Sequence, residues 1–388
     1  MKFIYPFILL LFIGRFALAQ EARVLLTDNP LKSHQDSAVA KGAAVYMKNK
    51  GTVGMLIGVY KDGHQYIYRY GESVKGSGQL PGAKQLFNLG SVAKTFVGTM
   101  LAEAVVEKRV RLTDDIRLYL PGNYPNLQYH GQPVRLIQLA NHTSGMPGSA
   151  RNFPAAVMDS VKHLPLPGQL SFFQRFNQDS LLEDLHHFNI DTLPGTKYRY
   201  NGNAMEVLIL LLERIYHQPY EVLVTQYLKT HLNMQDTRTA IPVNQLNRFI
   251  QGYNADGEAI TWYDLKSNKT DTINTNLFYP GGPGMNSTMS DMMKYLAAQL
   301  TKADPAIKLT HQLTWGDHPK DFAIGLNWMF DLEDGVKDWY HSGHTGIGFN
   351  TLCEFYPTEK LGFMIVVNDN ISQDKVSQME NDIHKAMK

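Results

Sequence analysis

Cysteine is almost absent from this sequence: Cys353 is the only one among 388 residues. A disulfide framework is therefore excluded, and the fold has to be held by its core. The neighbours of Cys353, residues 350–356 (NTLCEFY), alternate like a strand, which makes it a small buried residue rather than a reactive thiol and sets cysteine catalysis aside. Excess charge of either sign is missing too. A net charge of +1, with the signs mixed throughout, leaves no basic stripe and no acidic tail, so no nucleic-acid partner is expected. Internal repeats and low-complexity tracts are also lacking, and beyond Gln20 no run is apolar enough to span a membrane.

What is present is 44% hydrophobic residues against 19% charged ones, the composition of a globular protein with a substantial core. The first segment, MKFIYPFILLLFIGRFALAQ, carries Lys2, an apolar stretch and the small residues Ala17-Leu18-Ala19. That is the layout of a secretory signal peptide over residues 1–19, cut after Ala19. The stretch falls short of the roughly 18 residues a spanning helix needs, and Arg15 interrupts its end. No cysteine near the cut supports a lipid anchor, so the mature chain is expected to be periplasmic or secreted with no stable membrane anchor.

Residues 53–60 (VGMLIGVY) read as a buried strand, Asp62-Gly63 as a tight turn and residues 64–70 as the return strand of a hairpin. Short β-type runs recur at 323–330, 337–341, 348–356 and 361–367, with a turn at 357–360, and a polar segment at 373–387 suits a terminal helix. Between these ends, residues 95–108, 134–141, 203–217, 220–232 and 289–300 space their apolar positions as helices do. The fold class is therefore α/β, more closely α+β: one antiparallel sheet made of N- and C-terminal strands, flanked by helices, with a mainly helical inserted region. Residues 20–388 are read as a single domain, its sheet region at about 40–90 and 320–388 and its helical region at about 95–320. A ligand site belongs in the cleft between the two.

The candidate chemistry starts at FNLGSVAKTF, where Ser91 and Lys94 stand at i and i+3 at the start of an apolar helix. Such residues share a face, so the hydroxyl and the amine can meet. A serine hydroxyl attacks a carbonyl poorly unless a base takes its proton, and a lysine serves as that base only where burial or another cation lowers its pKa from about 10.4. Spacing alone decides nothing, because chance supplies roughly one Ser-x-x-Lys in a chain of this composition. Ser372 and Lys375 are a second copy in polar surroundings, where they read as a helix cap or solvated face. The alternative for Ser91 is an ordinary N-cap.

Context separates the two copies. LPGTKYRYNGNAM places Tyr200 before the turn residues Asn201-Gly202-Asn203, and HSGHTGIGF places His344-Thr345-Gly346 between two β-type runs. With these in order behind Ser91, the sequence resembles the serine β-lactamase and penicillin-binding protein family, in the branch of class C β-lactamases, D-Ala-D-Ala carboxypeptidases and related esterases. The segments LANHTSGMP (139–147), RLTDDI (111–116) and GGPGMNSTMSD (281–291) look like the family's LLxHTSGLP, LxLDDPV and GGLxSTxxDL, and the similarity runs from about residue 40 to about 370.

The resemblance implies a β-lactamase/transpeptidase-like fold and an exported serine hydrolase that works through a Ser91 acyl-enzyme, with Lys94 and Tyr200 sharing the proton traffic. Which of the two is the main base stays open. It further implies an oxyanion hole from the backbone N–H groups of Ser91 and Ile347, and substrate binding by His344, Thr345 and Gly346. The substrate would be a small molecule or peptide, such as a cell-wall peptide or a β-lactam, with no cofactor. Two departures bear on specificity. The family's loop Tyr-Ser/Ala-Asn here reads Tyr200-Asn201-Gly202, so Gly202 lacks the amide that holds an acyl side chain, and either Asn201 or Asn203 substitutes through a rearranged turn or the interaction is lost. His344 replaces the lysine of many β-lactamases, which looks more like carboxypeptidases, aminopeptidases and esterases. A histidine is a weaker carboxylate anchor at neutral pH. Carboxypeptidase-like or esterase-like hydrolysis is thus the first reading, beside a class C-type β-lactamase and a non-catalytic penicillin-binding sensor.

The remaining candidates have bland readings. His341 and His344 point to opposite faces of a strand and lack partners for a metal set, so no metal is expected. His142 is read as a structural hydrogen-bonder, His186 and His187 as surface residues, and Lys197 and Arg199 as a solvated face opposite Tyr200.

Overall fold

The computed structural model describes residues 25–148, 153–266, 270–274, 284–316, 322–333 and 336–388. The proposed signal peptide and residues 281–283 of the glycine-rich segment lie outside them. Seven strands form the main sheet: β1 (Gly54–Lys61), β2 (His64–Gly71), β3 (Ala323–Ile324), β4 (Met329–Glu333), β5 (Val336–Thr345), β6 (Phe349–Tyr356) and β7 (Leu361–Val367). Their spatial order is β2-β1-β7-β6-β5-β4-β3, antiparallel throughout. The N-terminal hairpin thus joins the C-terminal strands through β1 and β7, in register from Met55 opposite Val367 to Lys61 opposite Leu361. Asp62 and Gly63, both at positive φ, make its two-residue turn, whose twist matches that of the strands.

Six longer helices concern the site: α1 (His34–Tyr46), α2 (Lys94–Val106), α3 (Gly202–Tyr216), α4 (Tyr220–Leu232), α5 (Met289–Thr301) and α6 (Gln373–Met387). Strand alternation sorts the core into two layers. Met55, Ile57 and Val59 of β1 face Val39 of α1 and Ile383 of α6, whereas Leu56 faces the layer that holds Phe96 of α2 and Met292 of α5. Because both faces are covered, β1 and β7 are buried almost end to end, which is why they read as continuous apolar runs.

The structure departs from the sequence reading in four places. Helix α1 was not anticipated; its small residues Ala38, Gly42 and Ala43 give a faint apolar stripe, but they let α6 approach until a Cβ on Gly42 would stand 2.5 Å from Ile383. The run 323–330 is two strands, split where Asn327 takes φ +60°. The helix read at 134–141 is only Leu136–Ala140, and three short helices, Ala155–Lys162, Leu166–Phe173 and Gln178–His186, occupy a stretch given no elements. Cys353 is fully buried on β6, and burial pushes its thiol up, as its strand reading implied.

Beneath α6 the sheet carries a buried carboxyl cluster. The Tyr356 hydroxyl donates to Glu354 Oε1 at 2.8 Å and lies 3.2 Å from each Glu380 oxygen. Burial first, and the nearby Asp338 second, push the Glu354 carboxyl up to about 8. Such a group binds its proton more tightly folded than unfolded, so its contribution is complete below the unfolded value of about 4.3 and is lost as pH rises through about 8. Chemical unfolding measured from pH 5 to 9 should therefore show a falling stability whose slope is reduced in Glu354→Gln; an unchanged slope would contradict this account.

Candidate active site

The site is built outward from the turn that carries Ser91. Strand residues Leu86–Asn88 pair with Asn286–Thr288, the Leu89 N–H donates to the Met285 carbonyl at 2.9 Å, and Asn88 Oδ1 accepts the Gly90 N–H at 2.9 Å. This fixes a 3-10 turn, Gly90–Ala93, that runs directly into α2. Leu89 and Ala93 occupy the cap positions, so Ser91 is not the N-cap. Lys94, the first residue of α2, is 7% exposed, and its Nζ donates to Ser91 Oγ at 2.8 Å. Among the described residues Lys94 makes no salt bridge. The control pair behaves otherwise: Ser372 stands at the N-cap of α6, while Lys375 reaches Asn49 on the surface.

Glycine seats this turn against the end of β5. At Gly90, φ +54°, a Cβ would lie 2.9 Å from the His344 nitrogen and 3.0 Å from its carbonyl oxygen. At Gly343 a Cβ would lie 2.3 Å from both the Leu89 carbonyl and Thr351 Oγ1, which donates to that carbonyl at 2.8 Å. Main chain therefore packs on main chain, and Ser91 is held beside His344-Thr345-Gly346. His344 is exposed and Thr345 buried; Thr345 Oγ1 accepts the Phe349 N–H at 3.0 Å, which leaves its hydroxyl proton to donate elsewhere. The turn 345–348 is pressed against Gly252, whose Cβ would overlap the Ile347 carbonyl at 1.9 Å. No main-chain carbonyl among the described residues takes the Ile347 N–H.

Tyr200 arrives on an extended strip aligned with residues 142–143, where the Gly195 N–H donates to the Thr143 carbonyl and the Arg199 N–H to the His142 carbonyl, each at 2.8 Å. Side chains alternate as the sequence implied. Arg199 pairs with Asp191 through two bonds of 2.7 Å, while Tyr198 and Tyr200 turn to the other side, toward His142. The Tyr200 ring, 41% exposed, has its centroid 5.2 Å from Lys94 Nζ, 4.6 Å from the His142 ring and 6.2 Å from the His341 ring. Ser91, Lys94, Tyr200 and the His344 strand end thus come together.

Asn201 and Asn203 bond to the main chain. Asn201 caps α3 by accepting the Ala204 N–H at 3.1 Å, and its Nδ2 donates to the carbonyls of Met146 and Pro147. Asn203 Nδ2 also donates to Pro147, at 3.0 Å. At Gly202 nothing lies within 4 Å of where a Cβ would stand. His344 is backed by Asn350: since Asn350 Nδ2 donates to the Asp369 carbonyl, its Oδ1 accepts from His344 Nδ1 at 2.8 Å, which leaves Nε2 bare in the neutral ring. Sequence reasoning missed Asn350, which becomes His344's partner only through strand register.

His142 and His341 are both buried and held neutral. Burial, then the Lys94 charge, depress both; His142 is driven well below the usual imidazole value and His341 down to about 3. His186 and His187 are exposed, as read from the sequence.

Comparison with known proteins gives the family and the fold. A family model described as Beta-lactamase matches residues 39–386. A β-lactamase of Lysobacter lactamgenus is 24% identical over 297 residues, covering 76% of this chain and 67% of that protein. The D-alanyl-D-alanine-carboxypeptidase/endopeptidase AmpH of Escherichia coli (strain K12) is 25% identical over 334 residues, covering 82% and 80%. The crystal structure of a β-lactamase/D-alanine carboxypeptidase from Pseudomonas syringae superposes with a TM-score of 0.71 at 21% identity, over 91% of this chain and 99% of that one, which confirms the fold. The chain belongs to the β-lactamase family and is a serine hydrolase of that kind.

A histidine whose folded pKa is lowered takes up its proton on unfolding, so stability is lost as pH falls from about 6.5 through the folded value. Acid unfolding followed from pH 7 to 4 should be less steep in His341→Phe than in the wild type; identical slopes would exclude a buried neutral imidazole at this position.

Proposed function

We propose that this protein is an exported hydrolase of amide, peptide or ester bonds that works through an acyl-enzyme on Ser91, as one catalytic domain over residues 20–388. The observation that carries the reading is the 2.8 Å contact of Lys94 Nζ with Ser91 Oγ beneath the Tyr200 ring. Lys94, in its amine form, takes the Ser91 proton as Oγ attacks the substrate carbonyl. The N–H groups of Ser91 and Ile347 receive the oxyanion, and the Lys94–Tyr200 pair returns a proton to the leaving amine or alcohol. A water then attacks the acyl-enzyme by the same route in reverse. The signal-peptide layout supports a periplasmic or secreted location, and no helix of the described residues is long and apolar enough to cross a membrane.

The substrate reading is carboxypeptidase-like or esterase-like. His344, with Nδ1 given to Asn350, offers a carboxylate no donor from Nε2 until it is protonated, and no free amide stands at Gly202 to grip an acyl side chain. Efficient β-lactam turnover is the second reading, favoured by relatives that bear the name β-lactamase.

Intact mass and turnover with a penicillin and an activated ester test these readings. Ester turnover with a slow or stable penicillin adduct is the expected result, and Ser91→Ala should form no adduct. Lys94→Ala should slow acylation by about 10²–10⁴-fold. Rapid penicillin turnover would select the β-lactamase reading, a penicillin adduct without any ester turnover would select a sensor, and neither adduct nor turnover in folded protein would reject the hydrolase proposal.

A further inference from the structure

The peptide unit that leads into Ser91 is held at both of its polar ends by buried side chains. Its carbonyl, that of Leu89, accepts the Thr351 hydroxyl of β6 at 2.8 Å. Its N–H, that of Gly90, donates to Asn88 Oδ1 at 2.9 Å. A peptide is planar, so fixing both ends fixes the whole unit. Only the two soft dihedrals of Gly90 then separate it from the next unit, which carries the Ser91 N–H. Glycine has the widest choice of backbone conformations, and here φ is +54°. With no side chain of its own at this position, the choice falls to its neighbours.

The hold on the Gly90 N–H extends through two more residues. Because Asn88 Oδ1 takes that N–H, the Asn88 amide turns its Nδ2 the other way, where it donates to Asn286 Oδ1 at 3.1 Å. That sets Asn286 in turn: its Nδ2 donates to the Thr239 carbonyl at 3.1 Å. A carbonyl only accepts, so the chain of donors runs in one direction, and neither amide can turn over without setting donor against donor or acceptor against acceptor. Asn88 and Asn286 stand directly opposite each other in register and are 4% and 0% exposed; Thr351 is 0% exposed. The far end of the chain is also anchored, since Arg238 and Asn286 exchange main-chain bonds of 2.9 and 2.8 Å. Segments far apart in the sequence, at 88, 239, 286 and 351, thus converge on one peptide.

We propose that Asn88, Asn286 and Thr351 are positioning residues that clamp the Leu89–Gly90 peptide and so aim the Ser91 N–H and hydroxyl at the substrate carbonyl. They act through the turn, not by contact with substrate. The main chain of β5 closes the other side: a Cβ on Gly343 would stand 3.1 Å from the Ser91 nitrogen, and one on Gly90 2.9 Å from the His344 nitrogen. A rotation of the clamped unit would bend the Ser91 N–H away from a developing oxyanion, and hydrogen bonds weaken steeply as they bend. The uncharged carbonyl of the bound substrate gains little from that donor and loses little without it. Loss of the clamp therefore falls on kcat rather than on KM.

The kinetic part of this inference rests on the acyl-enzyme reading of Ser91; the clamp itself does not. In deuterium exchange followed by NMR, the wild-type Gly90 amide should be protected, and Asn286→Leu, which leaves Asn88 and Gly90 in place, should speed its exchange about tenfold. With an activated ester, Asn286→Leu and Thr351→Val should each lower kcat about tenfold with KM changed less than about twofold. Thr351→Ser, which restores the hydroxyl, should recover most of the loss. The infrared carbonyl stretch of the acyl-enzyme should move to higher frequency in both slow variants, because a misaimed donor polarises the carbonyl less; a merely structural role would leave it unmoved in folded protein. Should Asn286→Leu fail to fold, the comparison of Thr351→Val with Thr351→Ser decides. Wild-type kcat in the folded variants, or a loss carried by KM alone, would overturn the positioning role, and an unprotected wild-type Gly90 amide would overturn the clamp. A wild-type protein that acylates with no reagent would refute the hydrolase reading, while exchange at Gly90 would still decide the clamp.

Discussion

Leu89 and Gly90 lie main chain to main chain against Gly343 and His344, with no room for a side chain between them. This contact sets the distance from the Ser91 turn to the end of β5, and the neighbouring elements take their places from it. Thr351 on β6 closes it from below by bonding the Leu89 carbonyl, and Met285 closes it from the side. Held on both flanks, Ser91 needs no cap of its own and its hydroxyl stays available to Lys94. Reactions that depend on a few tenths of an ångström gain most from such rigid seats, because backbone packed on backbone has no rotamers to lose.

The Tyr200 loop shows how one substitution redistributes work. Asn201 spends its side chain on the N-terminus of α3 and on the carbonyls of Met146 and Pro147, which ties the helix start to the HTSGMP segment. The same segment supplies His142, whose ring supports Tyr200. The amide that would grip a substrate in the family's usual loop is here replaced by open space at Gly202. The loop is thus anchored through its asparagines, and Gly202 presents no side chain.

Much of this could be read from the chain itself. The hairpin, the C-terminal strands and the main helices follow from period and turn chemistry, and Ser91, Lys94 and Tyr200 stand where ordered motifs placed them. What escaped has physical reasons. Helix α1 is built of small residues whose value lies in close packing on α6, a property that periodicity does not register. The partnership of His344 with Asn350 depends on antiparallel register, which a single sequence does not display. Polar residues buried behind a site leave no pattern in one sequence, because their meaning lies in contacts between distant segments.

The pairing of β1 with β7 has a consequence for how the molecule comes into being. Met55 meets Val367, so the sheet closes only when nearly the whole chain is available, and this long loop must be ordered before its contacts stabilise anything. Ser91 and Lys94 leave the ribosome early, but the strand that faces them, β5, emerges much later and is itself interior to the closed sheet. A partial chain therefore carries the Ser-x-x-Lys helix without the surface that makes it a site. The Ser91 turn and the end of β5 on which it rests come together only when the C-terminal strands have joined the sheet.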